Sequence, residues 1–229
     1  MANHLKIAVL LSGGGTTLAN LIEWRRAGAL LADIDLVVSS RPKAGGVRIA
    51  RDAGIRAEVV EALRYRRSSR EGEEINDWAA MSRDLSALLL PGKYDLVCMA
   101  GFLSRYFIPP ELAGKVVNIH PALIPMFSGQ GMYGHHVHEA VIRSGVRVTG
   151  CTVHFADNDY DTGPIILQRA CPVYTDDTAD TVAARVFLEE KKAYPEAVNL
   201  IAENRIGISP AGRVIVERDR EVARCSHDD

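Results

Sequence analysis

The stretch Asn118-Ile119-His120-Pro121 closes an apolar run and places an amide and an imidazole two positions apart. In an extended strand, residues i and i+2 share a face, so both polar heads address one place and together suit the holding of an oxygen. Pro121 biases His120 toward extended geometry and stops the run from continuing as a helix. That leaves the imidazole at a strand's carboxyl end, the edge where open α/β sheets take ligands. A second polar segment, Asp157-Asn158-Asp159-Tyr160-Asp161-Thr162-Gly163-Pro164, joins the strand-like runs Cys151 to Phe155 and Ile165 to Gln168. If those strands neighbour the one bearing His120, the segment reaches the same end of the sheet. Asp161 beside His120 would favour an imidazolium, which can stabilise a developing oxyanion or pass a proton.

A third constellation, Ser12-Gly13-Gly14-Gly15-Thr16-Thr17, follows the first strand candidate and opens the first helix candidate. Glycines let the backbone approach an anion closely, and free amides with the helix dipole favour a phosphate there. The segment lacks the full Gly-x-Gly-x-x-Gly spacing of a dinucleotide fingerprint and the lysine of a P-loop.

The elements that must position these groups alternate along the chain. Strand candidates are Ile7 to Leu11, Leu36 to Ser39, Ala57 to Val60, Leu96 to Ala100, Val116 to His120, Cys151 to Phe155 and Ile165 to Gln168, with helix-like segments among the first five. Thr17 to Ala27 reads as a helix with Leu18, Leu21 and Ile22 inward. Ile75, Trp78, Ala79, Leu85 and Leu89 keep helical spacing before Pro91-Gly92. A long helix from about Thr181 to Ala202 puts Val182, Val186, Tyr194, Ala197 and Ile201 on one face, with Pro195 as a bend. The pattern is α/β: a Rossmann-like, mostly parallel sheet with helices on both faces. Residues 1–206 read as one catalytic domain, and 207–229 as a hairpin around Pro210-Ala211-Gly212 followed by a charged tail.

Composition narrows the classes. A chain of 229 residues with 47% hydrophobic and 24% charged residues suits one soluble globular domain. A net charge of -2 argues against a general nucleic-acid binder, and Arg64, Arg66, Arg67 and Arg70 read as a solvated loop or helix entrance. The amino-terminal apolar stretch is too short for a signal-peptide core or a membrane span, so the cytoplasm is the expected compartment and no membrane partner is expected. Cys98, Cys151, Cys171 and Cys225 form no Cys-x-x-Cys pair; the first three lie in strand-like runs, as buried small hydrophobes do. His135, His136 and His138 start a helix candidate without an i,i+4 histidine pair, which suits a solvated helix start better than a metal site.

LLSGGGTTL at 10–18, MAGFLSRY at 99–106, VVNIHPALIP at 116–125 and TVHFADNDYDTGPIILQ at 152–168, in that order, resemble the phosphoribosylglycinamide formyltransferase family of purine biosynthesis over roughly residues 5–206. The resemblance implies the formyltransferase fold. It also implies transfer of the formyl group of 10-formyltetrahydrofolate, as donor cosubstrate, to the amine of N1-(5-phospho-D-ribosyl)glycinamide, with no metal. It assigns catalysis to Asn118, His120 and Asp161, phosphate binding to Gly15, Thr16 and Thr17, and the substrate's ribose side to Glu190. It assigns the folate cleft to Phe102, Leu103, Ser104, Asp157 and Tyr160. His154 resembles a family histidine close to the catalytic group, and His135 takes a substrate-side role. The expected partners are the two small-molecule substrates, in a monomer or homodimer. The chain departs from the commonest family pattern in its longer segment after the Asn-x-His-Pro strand and in Ser104, where an arginine is frequent. A formyltetrahydrofolate deformylase, with water as the nucleophile, is the nearest rival, but such relatives carry an added amino-terminal domain. Methionyl-tRNA formyltransferase needs a further carboxy-terminal domain. A noncatalytic nucleotide-binding α/β protein gives no reason for Asn118, His120 and Asp161 together.

Overall fold

In the computed structural model, residues 4–68 and 74–217 are described; Arg70, Cys225 and the charged tail lie outside them. The chain runs β1 (Leu5–Leu11), α1 (Thr16–Arg26), β2 (Ala32–Ser39), α2 (Gly45–Asp52), β3 (Arg56–Val59), β4 (Arg66–Ser68), β5 (Glu74–Asn76), α3 (Trp78–Leu89) and β6 (Leu96–Met99). It continues through β7 (Val116–His120), α4 (His135–Ser144), β8 (Val148–Phe155), β9 (Ile165–Pro172), α5 (Ala179–Ala202), β10 (Ile206–Ile208) and β11 (Val214–Val216). Seven strands form one sheet in the order β3-β2-β1-β6-β7-β8-β9. The first five of that order are parallel, and β8 and β9 are antiparallel additions.

Strand periodicity sorts the core into two layers. Ile7, Val9 and Leu11 of β1 pack on one face with Leu18, Leu21 and Ile22 of α1, Val141 of α4, and Val186, Tyr194 and Ala197 of α5. Ala8 and Leu10 face the other way, toward Met81, Leu85 and Leu89 of α3. Burying a leucine or isoleucine of this kind contributes about 1.5–3 kcal/mol, so the alternation fixes which face each strand shows. On the α3 side, the helix partners β1, β2, β6 and the start of β7, and among the described residues no helix continues over β7 and β8. That unfilled half-layer is where the cleft forms.

Three local expectations change. Ile75 belongs to β5, paired with Arg67 and half-exposed, because Asp77 caps the helix by accepting from Ala80 N at 2.9 Å, and α3 therefore starts at Trp78. The basic segment is a 3-10 turn leading into the β4–β5 hairpin, not a helix entrance. Between β6 and β7 there is no α-helix, only a loop with one 3-10 turn at Pro110–Leu112; Pro109 and Pro110 remove the amide donors an α-helix would need. The expected hairpin near Pro210-Ala211-Gly212 is the antiparallel pair β10–β11. Cys98, Cys151 and Cys171 are buried and unpaired. No helix among the described residues is long and apolar enough to cross a membrane.

Candidate active site

Val117 and Ile119 of β7 point into the α1–α5 layer, so Asn118 and His120 must point to the opposite side. The antiparallel register with β8 sets Asn118 opposite His154 and His120 opposite Thr152. Directly opposed residues share a face, which puts His154 and Thr152 beside the Asn118/His120 pair. Asn118, His120 and His154 line a cleft of about 190 Å³, with walls from Phe102 to Arg105, Gly129 to Gly134 and Asp157 to Asp161.

Each polar head in the floor has a neighbour that fixes its orientation. His154 Nδ1 lies 2.9 Å from the Phe155 carbonyl and must donate to it, which leaves Nε2 to accept from Asn118 Nδ2 at 3.3 Å. Burial pulls the His154 imidazole below the ordinary histidine range, so it stays neutral and keeps that acceptor. The Asn118 amide thus has its nitrogen end assigned, with one N–H left over. His120 Nε2 donates to the Phe127 carbonyl at 2.8 Å, and its Nδ1 faces Asp161 Oδ2 at 3.6 Å. Asp161 Oδ2 also accepts from Gly129 N at 3.0 Å, and Asp161 Oδ1 stands 3.7 Å from His154 Nε2.

Asp161 arrives by a route the sequence pattern does not suggest. Because β8 is antiparallel to β7, the 156–164 segment leaves from the amino end of β7, where Ala156 N donates to Val116 O at 2.8 Å, and folds back along the sheet face. Two backbone features permit the return. Asp161 adopts a left-handed conformation (φ 57°), and at Gly163 a Cβ would lie 1.9 Å from the Phe155 carbonyl oxygen. Asp157 staples the segment by accepting from Asp159 N at 3.1 Å and from Thr162 Oγ1 at 2.9 Å.

The glycine segment after β1 behaves differently. Gly15, at φ 81°, is the residue before α1, and no side chain caps that helix, whereas α3 and α5 are capped by Asp77 and Thr178. A Cβ on Gly15 would lie 2.4 Å from Gly46 Cα, so the turn is pressed against the start of α2. The first-turn amides of α1 are thereby left with no side-chain acceptor, as an anion site requires. Glu190 sits on α5, which is tied to α1 where Asn20 Nδ2 donates to Lys191 O at 2.9 Å. Desolvation pushes the Glu190 carboxyl up to about 7, and among the described residues it has no hydrogen bond or ion pair. Neither Glu190 nor Gly15, Thr16 and Thr17 lines the cleft of His120.

The sequence profile of the formyl transferase family matches residues 5–198. The chain belongs to the formyl transferase family. It is 38% identical over 205 residues to a chloroplastic phosphoribosylglycinamide formyltransferase of Vigna unguiculata, covering 88% of this chain and 62% of that one. It is also 38% identical over 215 residues to the trifunctional purine biosynthetic protein adenosine-3 of Gallus gallus, of which it spans 20%. The chain therefore spans less than two thirds of the length of these curated relatives. Among solved structures, glycinamide ribonucleotide transformylase 1 of Symbiobacterium toebii superposes with a TM-score of 0.79 at 35% identity over 93% of both chains.

In this member of the family, the remaining site expectations fall in different places. Phe102, Leu103, Ser104, Asp157 and Tyr160 all line the cleft. His135 does not; it lies half-exposed on α4, 3.7 Å from both Glu139 and Asp180. Among the described residues no group of three or more His, Cys, Asp or Glu is placed to hold a metal ion. Sequence reasoning missed the Phe127 carbonyl that accepts from His120 Nε2, the hydrogen bonds that hold Asn158, and the place of Thr152 beside the pair. Asn158 Oδ1 accepts from Ile108 N at 2.8 Å, while Arg105 Nη2 donates to its carbonyl at 3.2 Å. The Arg105 guanidinium lies over Phe107 and Tyr160, 4.9 and 5.1 Å from the ring centroids. Thr152 was legible, since it lies two residues before His154 on one strand, and the period of two assigns both to one face.

Proposed function

We propose that the protein transfers the formyl group of 10-formyltetrahydrofolate to the amine of N1-(5-phospho-D-ribosyl)glycinamide, a step of de novo purine biosynthesis. The observation that carries this reading is the oriented set on the cleft floor: an Asn118 amide with one N–H free, beside a His120 imidazole backed by Asp161. The names of the relatives support it independently. The amine nitrogen attacks the formyl carbon and the carbonyl oxygen becomes an oxyanion. The free N–H of Asn118 and the His120 imidazolium stabilise that charge. The bond from the carbon to the folate N10 then breaks, and the proton lost by the amine passes, through Asp161 and water, to N10. The pterin lies between Phe102, Leu103, Ser104 and the Asp157–Tyr160 segment. The phosphate sits on the Gly15, Thr16 and Thr17 amides, with Glu190 toward the ribose. The protein needs no resident cofactor for this chemistry, only the folate donor as cosubstrate.

Purified protein given the formyl donor and the ribonucleotide should release folate product only when the acceptor is present. Release at the same rate without acceptor would make it a deformylase. Neither transfer nor release would leave only a nucleotide- or folate-binding role.

A further inference from the structure

Ser12 is the first residue after β1, buried to 1% exposure, and its contacts run away from the phosphate turn. Its backbone N–H donates to the Gly101 carbonyl at 3.0 Å, and its Oγ accepts from Leu103 N at 2.8 Å. The same hydroxyl shares a 2.6 Å hydrogen bond with Ser40, itself 2% exposed, whose N–H donates to Leu11 O at 3.0 Å. One side chain thus joins the carboxyl ends of β1, β2 and β6. The place is the topological switch point: from β1 the chain builds outward through β2 and β3, then returns to lay β6 on the other side. Segments leaving β1 and β6 diverge there, one toward Gly15 and the start of α1, the other into the cleft wall at Phe102, Leu103 and Ser104.

We propose that Ser12 is a positioning residue that sets the distance between the phosphate turn and the folate wall. It touches neither substrate; the inference rests on the functional reading above, in which those two segments hold the acceptor and the donor. Each half-substrate needs only its own segment. The reaction needs both, since the amine must sit about 3–3.5 Å from the formyl carbon, and a misplacement of about 1 Å can cost on the order of a hundredfold in rate. Without the hydroxyl, the Leu103 amide and the Ser40 hydroxyl lose a buried partner, and the wall can shift relative to the turn.

The test compares wild type, Ser12→Ala and Ser12→Cys for three ligands: glycinamide ribonucleotide alone, a formyl-folate analogue with carbon in place of N10, which cannot release its formyl group, alone, and a covalent adduct joining the two. The thiol of Ser12→Cys fills the space while accepting weakly, which keeps a folded comparison available if Ser12→Ala melts. The expected result is that the variants bind each half within about threefold of wild type, while the adduct weakens about tenfold or more and kcat falls with it. A loss confined to one half and carried unchanged into the adduct would overturn the inference, because Ser12 would then act locally. Unchanged adduct affinity and kcat per folded protein, with only a lower melting temperature, would overturn it as well. A wild-type protein that binds neither half would overturn the functional reading and this inference together.

Discussion

The cleft of His120 and the start of α1, two regions of the same sheet's carboxyl edge, are finished in opposite ways. In the cleft, Asn118, His120, His154 and Asp161 each have a partner already in place, mostly at 2.8 to 3.3 Å. In the other region, α1 begins without a side-chain cap and Glu190 carries a desolvated carboxyl with no partner among the described residues. Groups that must stabilise a charge as it appears gain from being fixed beforehand, since reorganising them would cost free energy during the reaction. Groups that only bind a substrate gain from being left unsatisfied, because the ligand then supplies the missing partner.

The contrast predicts different failures. Asn118→Ala and Asp161→Asn should lower formyl transfer on the order of a hundredfold or more while both ligands still bind, as measured by steady-state release of folate. A variant at full turnover would remove Asn118 or Asp161 from the mechanism. Gly15→Ala should act on binding and stability instead: a Cβ at φ 81° and 2.4 Å from Gly46 Cα should cost on the order of 2 kcal/mol in denaturant titrations and raise the ribonucleotide KM about tenfold. An unchanged KM would detach the turn from the phosphate.

Glu190 supplies a pH test. Its folded carboxyl lies at about 7, above the ordinary 4.5, so the folded state holds the proton more tightly than the unfolded chain. The stabilisation is full below about 4.5 and is lost as the pH rises from there through 7, on the order of 3 kcal/mol in all. Glu190→Gln should flatten that fall between pH 5 and 8, as followed by thermal melts; parallel wild-type and variant curves would count against a desolvated carboxyl. The smallest expected effect belongs to the exposed bracket of Arg105 over Phe107 and Tyr160. Arg105→Ala should raise the folate KM only a few-fold, in keeping with about 0.5–1 kcal/mol for such a contact, and leave kcat alone.

Much of this was legible without coordinates, for reasons local to the chain. The period of two gives Asn118 and His120 one face, and glycines between a strand and a helix mark a turn open to an anion. Ile75 misled because its spacing fits the α3 stripe, and only the Asp77 cap excludes it from the helix. His154 gained its partner only from register. The sequence shows a histidine on a strand, while the antiparallel pairing of β7 with β8 sets it against Asn118.

By itself, then, the sequence determined what is set within a few residues: strands, helices, the face of each side chain, and the chemistry each carries. Tertiary structure decided what depends on strand order and direction. It turned the 156–164 segment back along the sheet to bring Asp161 to His120, left the α3-side face of β7 and β8 without a covering helix among the described residues, and tied Ser12 across the switch point. Local propensity extends over neighbouring residues, whereas these contacts join positions tens of residues apart, and only the packed sheet brings them together.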